Sequence, residues 1–389
     1  MPGARFPRGD RLNVPFRSLE RIIPIVVTRL SANPSGGRRS VSRDQPAMGT
    51  GSQTGRYLVV LGLFVGALLG ATLAVNVVVD PLWYYRGNRI TGMNFGYDER
   101  IGKTNQFLKD PRGYDCLLFG GSRATLLDVG KIEGHRCYNY AVSAAVVGEF
   151  IDFAVYAKSR GIAPSLVIAD VNEFTFRRDR QATRTPDFIL RGEDPPSMLL
   201  SYLSLSALRF SLATLRKWSS HDRYYRSDFV GDVIPWHGRY VPRPLRPAAT
   251  PAPAASLYRA DIVPHYARLR AVFPQARYVG YVPPVSAWRI AQLELDGVLD
   301  QYLDLVLETA RHFDTFYDFG VPSAVTENPK LTYDGGHYFP AINDRVARAI
   351  TTGAPDFGLV VDWRAPEAYK REFRARVANF LRFAVADSR

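Results

Sequence analysis

The stretch Leu117-Leu118-Phe119-Gly120-Gly121-Ser122-Arg123 joins a short apolar run to two glycines and a serine. An apolar run of this length, ended by glycine, is typical of a strand buried inside a parallel sheet. The two glycines allow a tight turn at the carboxyl end of that strand. The sequence therefore predicts a strand that presents Ser122 at the edge of a sheet.

Further apolar strands alternate with helical periodicities along the chain after residue 115. Strands are predicted over 116–120, 136–140, 165–171, 277–282 and 313–318. Helices are predicted over 142–159, 265–272, 293–312 and 340–353. Strands that alternate with helices indicate a mostly parallel sheet with helices on both faces. We therefore predict an α/β fold with a flavodoxin-like, doubly wound, five-stranded sheet.

Residues 177–256 separate the third and fourth predicted strands and are too many for a simple crossover. They predict a helical insertion in a domain of residues 111–355, with a helix over 198–218 and a Pro/Ala-rich linker over 242–255. Such an insertion either shapes a substrate cleft or packs passively. Residues 356–389 contain an amphipathic helix over 366–386, which either packs on the domain or lies on a membrane surface.

Residues 57–79 form an apolar stretch without a charged residue. As a helix it spans about 34 Å, enough for a hydrocarbon core of about 30 Å. We predict a transmembrane helix over 56–79, with 80–110 as a juxtamembrane linker. A cleaved signal peptide is the alternative, but its apolar core is shorter. Arg56 and the arginines before it place the C-terminal domain outside the cytoplasm.

Segment 1–55 is rich in Arg, Ser, Gly and Pro and shows no sustained period, which predicts disorder. Met48 is an alternative start of the chain. Residues 1–47 carry nine arginines against three carboxylates and so supply about half of the net charge of +13. The basic balance therefore says little about the folded domain, and no basic-aromatic pattern indicates a nucleic-acid partner.

Cys116 and Cys137, the two cysteines of the chain, each begin a predicted strand. They are compatible with a disulfide in an oxidising compartment or with two buried thiols. Neither cysteine has a metal-ligand companion at useful spacing, and the histidines show no metal spacing. We therefore predict neither a metal nor a cofactor.

The segment Tyr333-Asp334-Gly335-Gly336-His337-Tyr338 holds the two partners that a serine nucleophile needs. Serine reacts only when a base removes its proton and a third group orients that base. His337 is the candidate base and Asp334 the candidate orienting carboxylate. Gly335 and Gly336 let the turn between them fold tightly.

The candidate polar residues all follow predicted strands. Ser122 follows the first strand, Asn139 ends the second, Asn172 follows the third, and Asp334 and His337 follow the fifth. In an open parallel sheet, ligands bind beyond the carboxyl ends of the strands. The sequence therefore predicts that these residues converge at one edge, where the backbone N–H of Ser122 is a candidate donor to an oxyanion.

These residues resemble four sequence blocks of the SGNH (GDSL-like) hydrolase and acyltransferase superfamily. Phe119-Gly120-Gly121-Ser122-Arg123 is similar to the first block, and the segment from Tyr138 to Ala145 is similar to the second. Val171-Asn172-Glu173 is similar to the third and Asp334-Gly335-Gly336-His337 to the fourth. Ala144 stands where the family usually has glycine, and the glycine that usually precedes the asparagine is absent.

The resemblance implies an SGNH fold and particular roles for these residues. Ser122, Asp334 and His337 would be catalytic, and Ser122, Ala144 and Asn172 would donate to the oxyanion. Arg123 either binds an anionic or sugar group or pairs with Asp128. Asn139 either contacts substrate or completes a turn.

The chain most closely resembles membrane-anchored bacterial SGNH-like proteins, through Asp80-Pro81 after the span, Ser122-Arg123 and the segment from Asp334 to Tyr338. The resemblance implies a serine-dependent esterase or O-acyltransferase that acts on an acylated cell-envelope polysaccharide. It places the protein in the inner membrane with a periplasmic domain, beside a multispan acyltransferase. The alternative is a non-catalytic SGNH-like module that binds glycan or partner proteins.

Overall fold

The protein is described by a computed structural model over residues 51–178, 185–247 and 257–386. The chain divides into two units, 1–58 and 59–389. Of the first unit, only the beginning of a long helix belongs to the described residues. The disorder predicted for 1–55 therefore lies outside them, except that residues 51–55 are helical.

Nine strands and twelve α-helices are assigned in the described residues. The strands are β1 Met93–Asn94, β2 Cys116–Phe119, β3 Cys137–Asn139, β4 Leu166–Asp170, β5 Arg223–Arg226, β6 Gly231–Val233, β7 Arg277–Val282, β8 Thr315–Asp318 and β9 Leu359–Val360. The first seven helices are α1 Gly51–Val79, α2 Glu99–Phe107, α3 Val147–Ser159, α4 Glu173–Phe176, α5 Asp187–Leu190, α6 Met198–Tyr202 and α7 Leu205–Leu215. The last five are α8 Pro264–Val272, α9 Ala287–Leu295, α10 Leu299–Ala310, α11 Pro340–Thr352 and α12 Pro366–Ala386.

The large sheet has the strand order β3-β2-β4-β7-β8-β9. Its first five strands are parallel, and β9 pairs antiparallel with β8. Numbered along the chain, the parallel strands have the order 2-1-3-4-5 of flavodoxin-type sheets. The predicted α/β fold with a mostly parallel sheet is confirmed. The sixth strand was missed because its two residues are too few to give a periodic signal.

The apolar runs of the central strands are explained by burial on both faces. All four residues of β2 and all five of β4 are buried. One face packs against α3, α8, α10 and α12, and the other face packs against α11. Each fully buried Leu, Ile or Val side chain contributes roughly 1.5–3 kcal/mol. The strands that carry the candidate site are therefore held rigidly in the middle of the domain.

Two predicted helices are each divided into two. The helix expected over 293–312 is α9 followed by α10, because Gly297 takes a left-handed conformation with φ +72° after α9 ends. The helix expected over 198–218 is α6 followed by α7. Ser204 begins the second of these, since its side chain accepts a hydrogen bond from the N–H of Ala207.

The sequence predicts residues 80–110 as a juxtamembrane linker between the span and the domain. In the structure this segment also contains folded elements. Strand β1 lies in this segment and forms an antiparallel sheet with β5 and β6 of the insertion. The buried carboxylate of Asp80 accepts hydrogen bonds from the N–H groups of Tyr85 and Gly87 and from the hydroxyl of Tyr202. The segment and the insertion therefore form one folded layer.

Helix α12 packs on the domain through its apolar side. Tyr369, Phe373, Val377 and Phe380 are buried. The hydroxyl of Tyr369 also donates to the carboxylate of Asp318 at 2.6 Å. Of the two interpretations of the amphipathic helix, the structure supports packing on the domain.

Within α1, residues Thr54–Val79 are long and apolar enough to cross a membrane, with a mean hydropathy of 2.5 over their most apolar window. None of that window is buried in the protein. An apolar helical stretch that the protein does not bury is stable where lipid surrounds it. The structure thus contains a candidate single span where the sequence predicts one.

Cys116 and Cys137 form a disulfide. The two residues are direct partners across the parallel strands β2 and β3, which brings their Cβ atoms together. The bond closes a chain segment of 21 residues. It joins the strand that carries Ser122 to the edge strand of the sheet.

Replacing both cysteines with alanine should lower the free energy of unfolding by about 3 kcal/mol, because a loop of this length loses that much chain entropy when closed. Denaturant midpoints of the two proteins, each with and without reductant, measure the effect. Reductant should lower the midpoint of the parent chain only. An unchanged midpoint for the reduced parent chain would contradict a stabilising bond.

Candidate active site

The turn after β2 places Ser122 at the carboxyl edge of the sheet. A Cβ on Gly120 would lie 2.4 Å from the Cβ of Ala124 and 3.0 Å from the carboxylate of Asp170, so only glycine fits there. The N–H of Gly121 donates to that carboxylate at 2.9 Å. Asp170 ends the neighbouring strand β4. The turn is therefore tied to the next strand, and Ser122 follows it in a fixed position.

Ser122, His337 and Asp334 form a continuous hydrogen-bonded relay. The Oγ of Ser122 lies 2.8 Å from Nε2 of His337, although the residues are 215 positions apart. Nδ1 of His337 lies 2.7 Å from Oδ2 of Asp334. A hydroxyl, an imidazole and a carboxylate in this order can transfer a proton from serine to histidine.

The loop before α11 holds the carboxylate in place. Oδ1 of Asp334 accepts the N–H groups of Gly336 and His337, both at 2.8 Å. Gly335 has φ +79°, and a Cβ there would lie 2.5 Å from the ring of Tyr240. Glycine is thus required at this position by both the backbone conformation and the close approach of the insertion.

The protonation states suit a general base. Burial would raise the pKa of Asp334, but the hydrogen bonds from His337 and the loop N–H groups hold that pKa well below its ordinary value. Burial lowers the pKa of His337 from its ordinary value. The hydrogen bond to Asp334 raises that pKa, and the positive charge of Arg223 lowers it further. The ring of His337 also stacks on that of Tyr333, with 5.5 Å between centroids. His337 is therefore neutral and fixed in orientation at neutral pH.

A cavity of about 290 Å³ opens at the relay. Its volume lies near the lower end of ligand pockets. The lining residues come from the ends of β2 and β4, from the start of α3 and α9, and from the loop before α11. They are Gly121, Ser122, Arg123, Ala144, Ala145, Val146, Asn172, Phe174, Thr175, Arg289, Asp334, Gly336 and His337.

All three predicted oxyanion donors line this cavity. The N–H of Ser122 donates to no acceptor among the described residues. Asn172 is 8% exposed, and its Nδ2 lies 3.7 Å from where a Cβ on Gly121 would be. Ala144 has φ +60°, a conformation in which glycine is more stable.

Of the two predicted substrate-binding residues, the structure brings only Arg123 to the cavity. It forms no ion pair with Asp128, whose carboxylate instead accepts the N–H of Gly130 at 2.9 Å. Asn139 lies away from the cavity. Its Nδ2 donates to the carbonyls of Ala124 and Leu127, both at 2.9 Å, so the side chain supports the turns around the nucleophile.

Arg223 is a buried residue of the site that sequence reasoning missed. Its Nη1 donates to the carbonyl of Ser122 at 2.7 Å, and its Nη2 donates to the hydroxyl of Ser143 at 2.8 Å. Glu99 lies close to it; burial would raise the pKa of Glu99, but the charge of Arg223 and the other polar groups around it hold that pKa below its ordinary value. Nothing in the local sequence marks this pair, because Glu99 and Arg223 lie in two segments outside the sheet.

Asp170 and Arg289 were missed as well. Asp170 is fully buried behind the nucleophile turn, and burial raises its pKa to about 6. Nη2 of Arg289, in the first turn of α9, donates to the carbonyl of Asp334 at 2.7 Å. The position of Asp170 at the end of an apolar strand was an available signal, whereas Arg289 has no such signal.

Within the residues that the structure covers, no cluster of His, Cys, Asp and Glu is arranged to hold a metal ion. No protein-family model matches the chain, and no curated protein matches it in sequence. The chemistry of the site is therefore argued from its geometry.

Replacing Arg223 with methionine should shift the acid limb of the pH–rate profile, where the rate falls as pH decreases, to higher pH. Only neutral His337 can accept the proton of Ser122, so the rate falls as pH drops through the histidine pKa. The positive charge of Arg223 lowers that pKa, and its removal raises it. The rate of inactivation by a fluorophosphonate, followed from about pH 5 to 8, measures the limb.

Arg226→Met is the matched control, since Arg226 is exposed on the same strand and pairs with Asp228. The control should keep the acid limb of the parent, because the charge of Arg226 is not among those that act on the pKa of His337. A limb that stays in place in Arg223→Met would show that its charge does not act on His337.

Proposed function

We propose that the protein is a serine-dependent esterase or O-acyltransferase of the SGNH type. The observation that carries this proposal is the relay from Ser122 through His337 to Asp334, with both side-chain contacts below 3 Å, at the wall of a cavity. Its members also lie at the carboxyl edge of a doubly wound sheet, where such folds bind their ligands. A structural serine at a turn needs neither an imidazole nor an oriented carboxylate.

The relay supports acyl transfer in two steps. Ser122 Oγ attacks the carbonyl carbon of an ester while its proton passes to Nε2 of His337. The tetrahedral oxyanion accepts hydrogen bonds from Ser122, Ala144 and Asn172, each worth roughly 3 kcal/mol. The alcohol leaves with the proton from His337, and an acyl-serine remains. Water or a sugar hydroxyl then attacks the acyl-serine by the reverse path, which gives hydrolysis or transfer.

The acyl donor or acceptor that we propose is an acylated polysaccharide of the cell envelope. Support comes from the resemblance to membrane-anchored SGNH-like proteins and from the apolar helix Thr54–Val79. The disulfide between Cys116 and Cys137 adds support, since such bonds persist in oxidising compartments. These features suit an inner-membrane anchor, a periplasmic domain and a multispan acyltransferase as partner.

The geometry favours an enzyme over a non-catalytic binding module. A binding module has no need for a proton relay. The buried guanidinium of Arg223 costs free energy of desolvation, and here Arg223 also supports the backbone of Ser122. A fold retains such a cost more readily at a site that performs chemistry.

Ser122→Ala should abolish covalent labelling by a fluorophosphonate probe, because the variant lacks the oxygen that attacks phosphorus. Turnover of an O-acetylated glycan should fall by at least about a thousandfold, as expected when a nucleophile is removed. Gel fluorescence and release of acetate provide the two measurements.

Ser159→Ala is the control, since Ser159 is exposed at the end of α3. It should be labelled like the parent. Undiminished labelling of Ser122→Ala would exclude Ser122 as the nucleophile. Full complementation of a deletion strain by Ser122→Ala would favour the binding module.

A further inference from the structure

We propose that Arg123 and Arg289 form an anion subsite beside Ser122, so that the substrate carries a carboxylate or phosphate close to its ester. This inference rests on the proposed function, because it names the substrate class of the same cavity. Its basis is the geometry of two guanidinium groups that converge on one side of the cavity.

Arg123 is a buried cation without a counterion in contact. It is 7% exposed, and its guanidinium lies over the ring of Phe174 at 5.0 Å from the centroid. Among the described residues no carboxylate forms an ion pair with it; Glu173 and Asp170 act on it only at longer range. A buried charge without a partner is costly, so its retention at the wall of a cavity indicates a ligand that supplies the opposite charge.

Arg289 approaches the same place from α9. Its Nη1 lies 2.9 Å, and Nη2 of Arg123 lies 3.5 Å, from the position that a Cβ on Gly336 would occupy. The contact of Arg289 with the Asp334 carbonyl uses its other terminal nitrogen, Nη2. The two guanidinium groups therefore lie close to each other over Gly336, the residue immediately before His337.

The remaining charges at the cavity do not neutralise this pair. The carboxylate of Asp334 is engaged by His337 and by two backbone N–H groups. Helix α3, of 13 residues, begins at the cavity with Val146 as its N-cap, and this residue has no capping side chain. A helix N-terminus carries a partial positive charge. The cavity is thus positive, and planar guanidinium forks match a carboxylate or a phosphate.

Two matched pairs of probes test this subsite by their binding to the Ser122→Ala full chain. One pair is an O-acetylated oligogalacturonate and its methyl ester, which differ in the carboxylate charge. The other is an O-acetylated phosphomannan oligosaccharide before and after phosphatase treatment. The charged member of at least one pair should bind about tenfold more tightly or better, as charge-assisted hydrogen bonds do. The pair that discriminates identifies the anion.

Adding Arg289→Met should reduce that discrimination to less than about threefold without weakening the binding of the neutral probe. Adding Arg289→Lys instead should preserve part of the discrimination. Arg348→Met removes an exposed charge from α11 and should change nothing. Equal binding of charged and neutral probes, or discrimination that survives Arg289→Met, would overturn the subsite. Binding by the Ser122→Ala chain needs no turnover, so labelling of the parent chain tests the proposed function separately.

A different observation points to a membrane-facing surface on the insertion. Leu205, Leu212 and Leu215 fall on one stripe of α7, and Leu199 and Leu200 of α6 and Trp218 lie nearby in the chain. We call these six residues the leucine face. Their exposures range from 38% to 77%. Large exposed apolar side chains concentrated in one short part of the chain indicate an interaction site.

Helices α6 and α7, which carry most of the leucine face, pack against the end of the candidate span. Leu73 and Val77 of α1 pack in one cluster with Met198 and Phe210 of α6 and α7. The amide of Asn76 donates to the Tyr202 carbonyl at 2.7 Å and accepts from the Ser211 hydroxyl at 2.6 Å. The two helices are therefore fixed beside the point where α1 would leave the bilayer.

From this we infer that α6 and α7 lie in the interface of the membrane that α1 crosses, with the leucine face toward the acyl chains. Arg209, Arg216 and Lys217 are exposed on or just after α7 and suit anionic headgroups. Such docking would hold the cavity at a fixed height above the membrane.

A nitroxide at Leu205→Cys, in the full chain in nanodiscs, tests this orientation. It should be more accessible to oxygen than to a water-soluble nickel chelate, as a label at Leu61→Cys in the span should be. A label at Arg348→Cys, far along the chain on α11, should show the reverse. A Leu205 label that behaves like the Arg348 label would overturn the inference.

Discussion

The parallel pairing of β2 with β4 is the constraint on which the site depends. Its register sets Phe119 opposite Ala169, so that the turn after β2 lies beside Asp170 at the end of β4. The bond from the Gly121 N–H to that carboxylate follows from this register. A slip of one residue would turn every side chain of the strand to the other face of the sheet. The core thus fixes where the turn that carries Ser122 begins, and the contacts of Ser122 with Arg223 and Thr125 hold it there.

The other half of the relay depends on the same sheet through a longer route. β8 pairs with β7, which pairs with β4, and the loop before α11 follows β8. Within that loop, a carboxylate that accepts two backbone N–H groups fixes its own geometry locally. The separation of 215 residues between Ser122 and His337 is therefore bridged by strand pairing, which leaves few degrees of freedom for the final hydrogen bond.

The elements outside the sheet contribute charge and support. Arg223 from β5 donates to the carbonyl of Ser122, and its charge lowers the pKa of the buried Glu99 from α2; Tyr240 covers the glycine turn of the Asp334 loop. Burial lowers the pKa of His337 most, and the charges of Arg223 and Arg123 lower it further. The insertion thus supports the backbone around the site through Arg223 and Tyr240, although none of its described residues lines the cavity.

The sequence by itself determined the strands, their parallel arrangement and the residues that follow them. Those features depend on apolar runs, on turn glycines and on period, all of which are local. Ser122, Asp334 and His337 could be named in advance because each lies next to such a local signal. Local residues also determine where two of the helices are interrupted, at Gly297 and Ser204. The continuous apolar period across these positions obscured the interruptions.

Only the tertiary structure decided which charges meet at the site. Arg223, Glu99 and Arg289 lie in segments with no period or motif that points toward the relay. The contacts of Arg223 and Arg289 at the site join residues 45, 80 and 101 positions apart in the chain. The disulfide was likewise undecided until β2 and β3 were seen to pair Cys116 with Cys137. Electrostatic partners are selected by three-dimensional proximity in a low-dielectric interior, and no short stretch of sequence encodes that proximity.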